Sequence, residues 1–197
     1  LLRRNNLYEY GNVIFGVTSI YAESITPCDI ETDKIKIALY HGFVAGAKTD
    51  LGFSVRKKKN IFDIKDFAEY DYGLFGDVHK FQYLDEDKKI AYSSSLIQQN
   101  YSETIENHGM IKWDLENETS EFIQIDNDYG YVTLHIVHGE LKDYDEDAMP
   151  KISRIKLVYD EYTEEKELSE IEKMLKVKHT IAEFVTNKVF TDKTLEI

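Results

Sequence analysis

Strand signals that dominate the first two thirds, with one short helix feeding a strand before residue 80 and successive strands without helices after it, predict an α/β fold grading into α+β, closed by a small β-α-β unit. Three observations carry this. KIKIALYH (34–41) alternates and then turns apolar, the pattern of a strand buried on both faces. IFDIKDFAEY (61–70) places apolar residues at 61, 64, 67 and 68, a short helical face that feeds directly into a strand, DYGLFGD (71–77). Near the end, Leu168, Ile171 and Leu175 form a helical stripe in EEKELSEIEKMLKVKH, between the strand patterns SRIKLVY and IAEFVTNKVF.

The elements follow in order. YGNVIFGVTSI (10–20) is rich in β-branched and aromatic residues and reads as a strand that includes Gly11 and Asn12. After KIKIALYH comes a Gly-rich turn, HGFVAGAKTDLG, and a basic patch, Arg56 to Lys59. KFQYL and KIAYS are two strands joined by DEDK; HGMIKWDL, SEFIQID and YVTLHIVHG are three more, with turns at ENET and NDYG. Their succession predicts antiparallel pairing. The acidic DYDEDAMP reads as a linker, which divides the chain into a first domain over 1–142, a linker over 143–150 and the start of an accessory domain over 151–197. The last part is too small to hold a core alone.

With 197 residues, 42% hydrophobic and 13% aromatic, the chain is able to bury a core. No apolar run approaches the roughly 18 residues needed to cross a bilayer, and no secretory signal is present, so a cytoplasmic, membrane-free setting is expected (inside the host cell if the source is viral). The first residue is leucine, which suggests a piece of something longer. Cys28 is the sole cysteine, which excludes an internal disulfide and a cysteine zinc site and fits a reducing compartment. A formal charge of −13 repels phosphate backbones and excludes a generic nucleic-acid binder. A role on DNA requires local cancellation, by divalent cations or by Arg56 to Lys59; the plainer reading of that patch is a solvated loop.

The candidate chemistry lies in GLFGDVHK (73–80). Asp77 and His79 are two positions apart, so in an extended segment their side chains point the same way. They follow an apolar strand, and functional groups in α/β folds gather at the carboxyl ends of strands. One oxygen and one nitrogen donor suit a hard or borderline metal. His41 ends another predicted strand, LYHG. Each histidine alone is explained by a hydrogen bond to backbone; the repetition at two strand ends is what points to a site. Donors of one metal lie about 2.0–2.2 Å from it and hence roughly 3–4 Å apart, the gap expected wherever two of these side chains share a cation. His108, His135, His138 and His179 read as structural. Trp113 and the tyrosines read as core and cross-strand partners rather than a base-stacking platform.

LYHGFVAGAKT, YDYGLFGDVHKFQYL, IAYSSSLIQQNYSE and HGMIKWDL together resemble the calcineurin-like metallophosphoesterases, nearest to the SbcD-type DNA repair nucleases and their phage and large-virus relatives. The resemblance spans roughly residues 10–138. It implies the carboxyl-side half of a β-sandwich with flanking helices, a hydrolase acting on phosphodiesters of DNA, two divalent metal ions (Mn²⁺ first, Mg²⁺ next), an SbcC-like ATPase partner and a homodimer. The family's first three motifs, D-x-H, G-D-x-x-D and G-N-H-[DE], do not occur; Gly11-Asn12 is followed by Val13-Ile14 and is no third motif. The catalytic residues are therefore expected upstream of Leu1, and this piece alone is expected to be nearly inactive. His41 matches the histidine of the fourth motif. The fifth, G-H-x-H, reads Gly76-Asp77-Val78-His79, with a carboxylate in place of the first imidazole. The resemblance assigns His41 and Asp77 to one metal and His79 to the other. Where the family has Y-P-G-S and a Q-Q segment ending in G-E, this chain has Tyr92-Ser93-Ser94-Ser95, Gln98-Gln99 and Ser102-Glu103, with serine at two glycine positions. Two further readings are a phosphatase or cyclic phosphodiesterase on the same fold, and a degenerate domain that only binds a partner.

Overall fold

The computed structural model describes residues 4–142 and 144–190. It is an α+β structure, mostly sheet, with one α-helix among the described residues. The chain forms two compact units: residues up to Ile97 together with Ser102–Ile125, and Gln98–Tyr101 together with residues from Asp126 onward. No described helix is long and apolar enough to cross a membrane.

The first unit is built on a six-stranded sheet of β1 (Asn6–Tyr10), β2 (Val13–Thr18), β3 (Ile35–His41), β4 (Tyr72–Gly76), β5 (Gln82–Tyr83) and β6 (Ile90–Tyr92), in the order β1-β2-β3-β4-β6-β5. The strand expected over 10–20 begins after a turn. Gly11 and Asn12 form a two-residue hairpin loop between Tyr10 and Val13, with Gly11 at φ +55°. The four inner strands are parallel: β2 with β3, β3 with β4, and β4 with β6. Their carboxyl ends therefore share one edge, and they include His41 and Gly76, which are paired in register. The predicted helical face over 61–70 narrows to one 3-10 turn, Ile64–Phe67. The Asp66 carboxylate accepts from the Asp63 amide at 2.8 Å. This bond, and secondarily Lys57 at 3.1 Å, holds Asp66 below the usual carboxylate range.

Aromatic side chains fill the core on this side of the sheet. Phe67 and Phe75 lie 4.7 Å apart between ring centres, and Phe75 meets Tyr92 edge-on at 5.7 Å. Close packing also fixes a glycine: a Cβ on Gly16 would sit 1.7 Å from the Tyr70 hydroxyl, which donates to the Thr26 carbonyl at 2.7 Å. A separate two-stranded ribbon, β7 (Gly109–Asp114) with β8 (Thr119–Gln124), is antiparallel, as expected. Trp113 on β7 meets Tyr72 edge-on at 5.7 Å.

The second unit holds β9 (Tyr129–Val137), β10 (Glu140–Lys142), β11 (Ile152–Tyr159), α1 (Glu165–Lys178) and β12 (Thr180–Lys188), in a sheet ordered β10-β9-β11-β12. The β-α-β unit is present, with β11 and β12 parallel. It recruits β9, which the sequence reading groups with the region before residue 142 and expects in antiparallel company. β9 instead lies parallel to β11. This addition explains how the closing segment obtains a core: Leu134 and Ile136 of β9, Ile155 and Leu157 of β11 and Leu175 of α1 are all buried. Tyr144 and Met149, from the acidic stretch read as a linker, pack against that core; Asp143 lies outside the described residues. β10 was not expected. His138 and Gly139, at φ +52° and +76°, make the two-residue turn that creates it. The Asp160 carboxylate accepts from the His138 amide at 2.9 Å and from the Thr163 hydroxyl at 2.7 Å. Gln98, of the Q-Q segment, is structural. Its amide accepts from Tyr131 N at 2.7 Å and donates to Tyr131 O at 2.9 Å, extending the ladder beside β9.

Candidate metal centre

The parallel register of β3 and β4 delivers two functional groups to one place. His41 is the last residue of β3; Asp77 immediately follows β4. His41 Nδ1 lies 4.0 Å from an Asp77 carboxylate oxygen, with side chains 71% and 39% exposed. That separation exceeds a hydrogen bond, and an exposed pair at this range contributes little to stability. It is close to the spacing of two donors around one cation, and the donor chemistry fits Mn²⁺ or Mg²⁺. Gly76 permits the approach: a Cβ there would lie 3.0 Å from the imidazole Cδ2 of His41.

The loop after His41 is held from below by Tyr92, which is fully buried. Its hydroxyl donates to the Gly42 carbonyl at 2.6 Å and accepts from the Val44 amide at 2.9 Å. Burial, the largest influence, drives the Tyr92 phenol well above its usual range and keeps it neutral. The Tyr40 phenol is raised too, first by burial and then by the charge of Asp77.

Asp77 does not continue the strand. Its φ of +92° breaks the extended geometry on which the same-side argument for Asp77 and His79 depends. The two side chains have different partners. His79 Nδ1 lies 2.9 Å from the Glu103 carboxylate, whose side chain is 2% exposed against 35% for His79. His41 and His79 also line different cavities. One of about 450 Å³ runs along the ends of β2, β3 and β4 past Ile20, Tyr40, His41 and Phe75. Another of about 330 Å³ is bounded by Asp50, His79, Lys80, Phe81 and Asn107. Among the described residues, no three His, Cys, Asp or Glu side chains close on one point as a metal cage.

The serine loop keeps the geometry a glycine would favour. Ser94 stands at φ +76°, and its hydroxyl donates to the His79 carbonyl at 2.7 Å. His108 is buried with partners on both ring nitrogens: Ser95 Oγ at 3.0 Å from Nδ1 and the Thr104 carbonyl at 2.7 Å from Nε2. Glu103 has no sequence signal of a role beside His79. It lies in a polar stretch, QNYSE, and no periodicity marks it as buried.

No family model matches the chain. It is similar to the uncharacterized protein R555 of Acanthamoeba polyphaga mimivirus, with 39% identity over 194 residues. The similarity covers 93% of this chain and 14% of that protein, so the chain spans a small fraction of the relative it matches.

Proposed function

We propose that this chain is the carboxyl-side part of a calcineurin-like metallophosphoesterase of the SbcD nuclease type, hydrolysing DNA phosphodiesters with two divalent cations, Mn²⁺ foremost. The supporting observation is the approach of His41 and Asp77 at adjacent parallel strand ends, 4.0 Å apart and open to solvent. In this reading His41 and Asp77 hold one cation and His79 helps hold the other. The cations supply Lewis-acid polarisation of the phosphoryl oxygens. Asp77 adds a negative charge that favours harder metals, and the exposed His41 ring leaves room for a phosphodiester to reach the strand ends. The first three family motifs, the catalytic residues, the ATPase partner, the dimer and the cytoplasmic setting belong in this proposal to the whole protein.

Paramagnetic broadening by Mn²⁺ tests the site directly. Titrating Mn²⁺ into the ¹⁵N-labelled 197-residue chain is expected to broaden the Gly42, Gly76 and Asp77 amides first, and His41→Ala with Asp77→Ala is expected to abolish the effect. Broadening confined to other acidic surfaces, or none, refutes the assignment. The same chain with Mn²⁺ is expected to cleave single-stranded DNA barely at all; robust turnover overturns the half-site view. In the whole protein, preference for a small phosphomonoester over DNA would move the reading to a phosphatase. A second reading, a degenerate partner-binding domain, draws on the lack of a complete three-residue cage among the described residues, and an absent Mn²⁺ response favours it.

A further inference from the structure

We propose that Glu103 is the positioning residue for His79: it holds the imidazole as the Nδ1–H tautomer and so leaves Nε2 as the atom that faces a cation or substrate. The inference rests on the metal reading above and deepens it.

The geometry is specific at both ends. The Glu103 side chain is 2% exposed and reaches His79 Nδ1 at 2.9 Å. In this proposal the Glu103 carboxylate is ionised and only accepts, which makes Nδ1 the donor. The Glu103 contact engages Nδ1 and leaves Nε2 as the ring's other nitrogen, on a side chain that lines the cavity bounded by Asp50, Lys80 and Phe81. In a neutral ring that nitrogen then carries a lone pair, the state in which imidazole coordinates a metal. The main chain is fixed as well. Ser94 Oγ donates to the His79 carbonyl at 2.7 Å, and the preceding side chain, Val78, is 4% exposed. Ring, carbonyl and neighbouring side chain are each held by a different contact. A carboxylate behind a histidine in this manner sets the ring's tautomer and orientation, and loss of such a partner typically lowers metal affinity 10–100-fold.

Packing alone makes a different prediction. A Glu103 that only filled space would leave the tautomer free to follow imidazole's own preference for Nε2–H. A Glu103 that carried the proton itself would also place the ring hydrogen on Nε2.

The experiment is long-range ¹H–¹⁵N correlation of the histidine rings in the metal-free ¹⁵N-labelled chain at pH 8, with His79 assigned by loss of its signals in His79→Asn. The wild-type ring is expected as Nδ1–H. Glu103→Gln, whose amide oxygen still accepts, is expected to keep that pattern; Glu103→Ala is expected to shift the ring to Nε2–H. The Mn²⁺ concentration that broadens the Val78 and Lys80 amides is expected to rise about 10–100-fold in Glu103→Ala. If Glu103→Ala fails to fold, the wild-type and Glu103→Gln spectra still decide. An Nε2–H ring in the wild-type chain overturns the assignment, as does a Glu103→Ala ring that stays Nδ1–H. The expected tautomer with no Mn²⁺ response at Val78 and Lys80 supports the hydrogen-bond assignment and overturns the metal reading instead.

Discussion

Tyr92→Phe isolates one oxygen atom beneath the candidate site. The ring is retained, so the contact with Phe75 at 5.7 Å persists and no large cavity opens. Two backbone groups lose their partner: the Gly42 carbonyl, 2.6 Å from the hydroxyl, and the Val44 amide, 2.9 Å from it. Val44 is completely buried, so water cannot replace the bond to its amide, whereas Gly42 is only partly covered. Leaving a buried polar group unpaired costs about 1–3 kcal/mol. With one group fully and one partly deprived, the expected loss is about 2–4 kcal/mol. The chain has one tryptophan, Trp113, and it lies in the first unit, so its fluorescence follows the unfolding of that unit. At an m-value of about 2 kcal/mol/M the urea midpoint is expected to fall by about 1–2 M with the slope unchanged. Amide exchange at Val44 is expected to accelerate more than exchange in β2. A midpoint shift below about 0.3 M, with Val44 still protected, would show that the hydroxyl does not organise the loop after His41.

Three other perturbations follow from the same contacts. Asp77→Gly removes a side chain held at φ +92°, and relief of that conformation, partly offset by the greater freedom of an unfolded glycine, is expected to raise stability by about 0.5–1 kcal/mol in urea melts while weakening the Mn²⁺ response at Gly42 and Gly76; a destabilised variant would contradict this. Gly16→Ala places a methyl group 1.7 Å from the anchored Tyr70 hydroxyl and is expected to cost about 3 kcal/mol or more, read as a lost or strongly lowered Trp113 transition; a near-neutral change would mean that Tyr70 has another place to go. Asp160 is held below the usual carboxylate range, chiefly by the Thr163 hydroxyl and also by the His138 amide. Its folded-state value is depressed, so its contribution is complete above the unfolded value of about 3.9 and disappears as pH falls through the folded value. Thermal melts of the wild-type chain are therefore expected to lose more stability between pH 5 and pH 2 than those of Asp160→Asn; parallel curves would refute the assignment.

Periodicity made the long strands legible. The alternation in KIKIALYH and the apolar run in YGLFG mark β3 and β4, and the stripe of Leu168, Ile171 and Leu175 marks α1. Partner choice was not legible, because a strand's own pattern says which faces are buried and not which neighbour buries them. β9 reads equally well beside β8 or β11, and only the apolar surface of β11 and α1 decides. Turns hide inside the strand patterns: Gly11-Asn12 and His138-Gly139 are two-residue hairpin loops that a run of β-branched and aromatic residues obscures. At the candidate site, strand ends located His41 and Asp77, but backbone torsion separated Asp77 from His79. Glu103 is distant in sequence from His79 and buried by tertiary packing alone, so spacing carries no trace of their pairing.

The parallel pairing of β2, β3, β4 and β6, and of β9, β11 and β12, has a consequence for how the protein is made. Parallel neighbours cannot be joined by a tight hairpin, so each must wait for a long loop to close, and domains dominated by such contacts fold in milliseconds to seconds. During that interval the apolar ribbons Ile37-Ala38-Leu39 and Leu74-Phe75 stand with unpaired backbone, able to add to another nascent chain. Slow synthesis at low temperature, which gives each loop time to close before the next chain arrives, is therefore expected to raise the yield of folded protein.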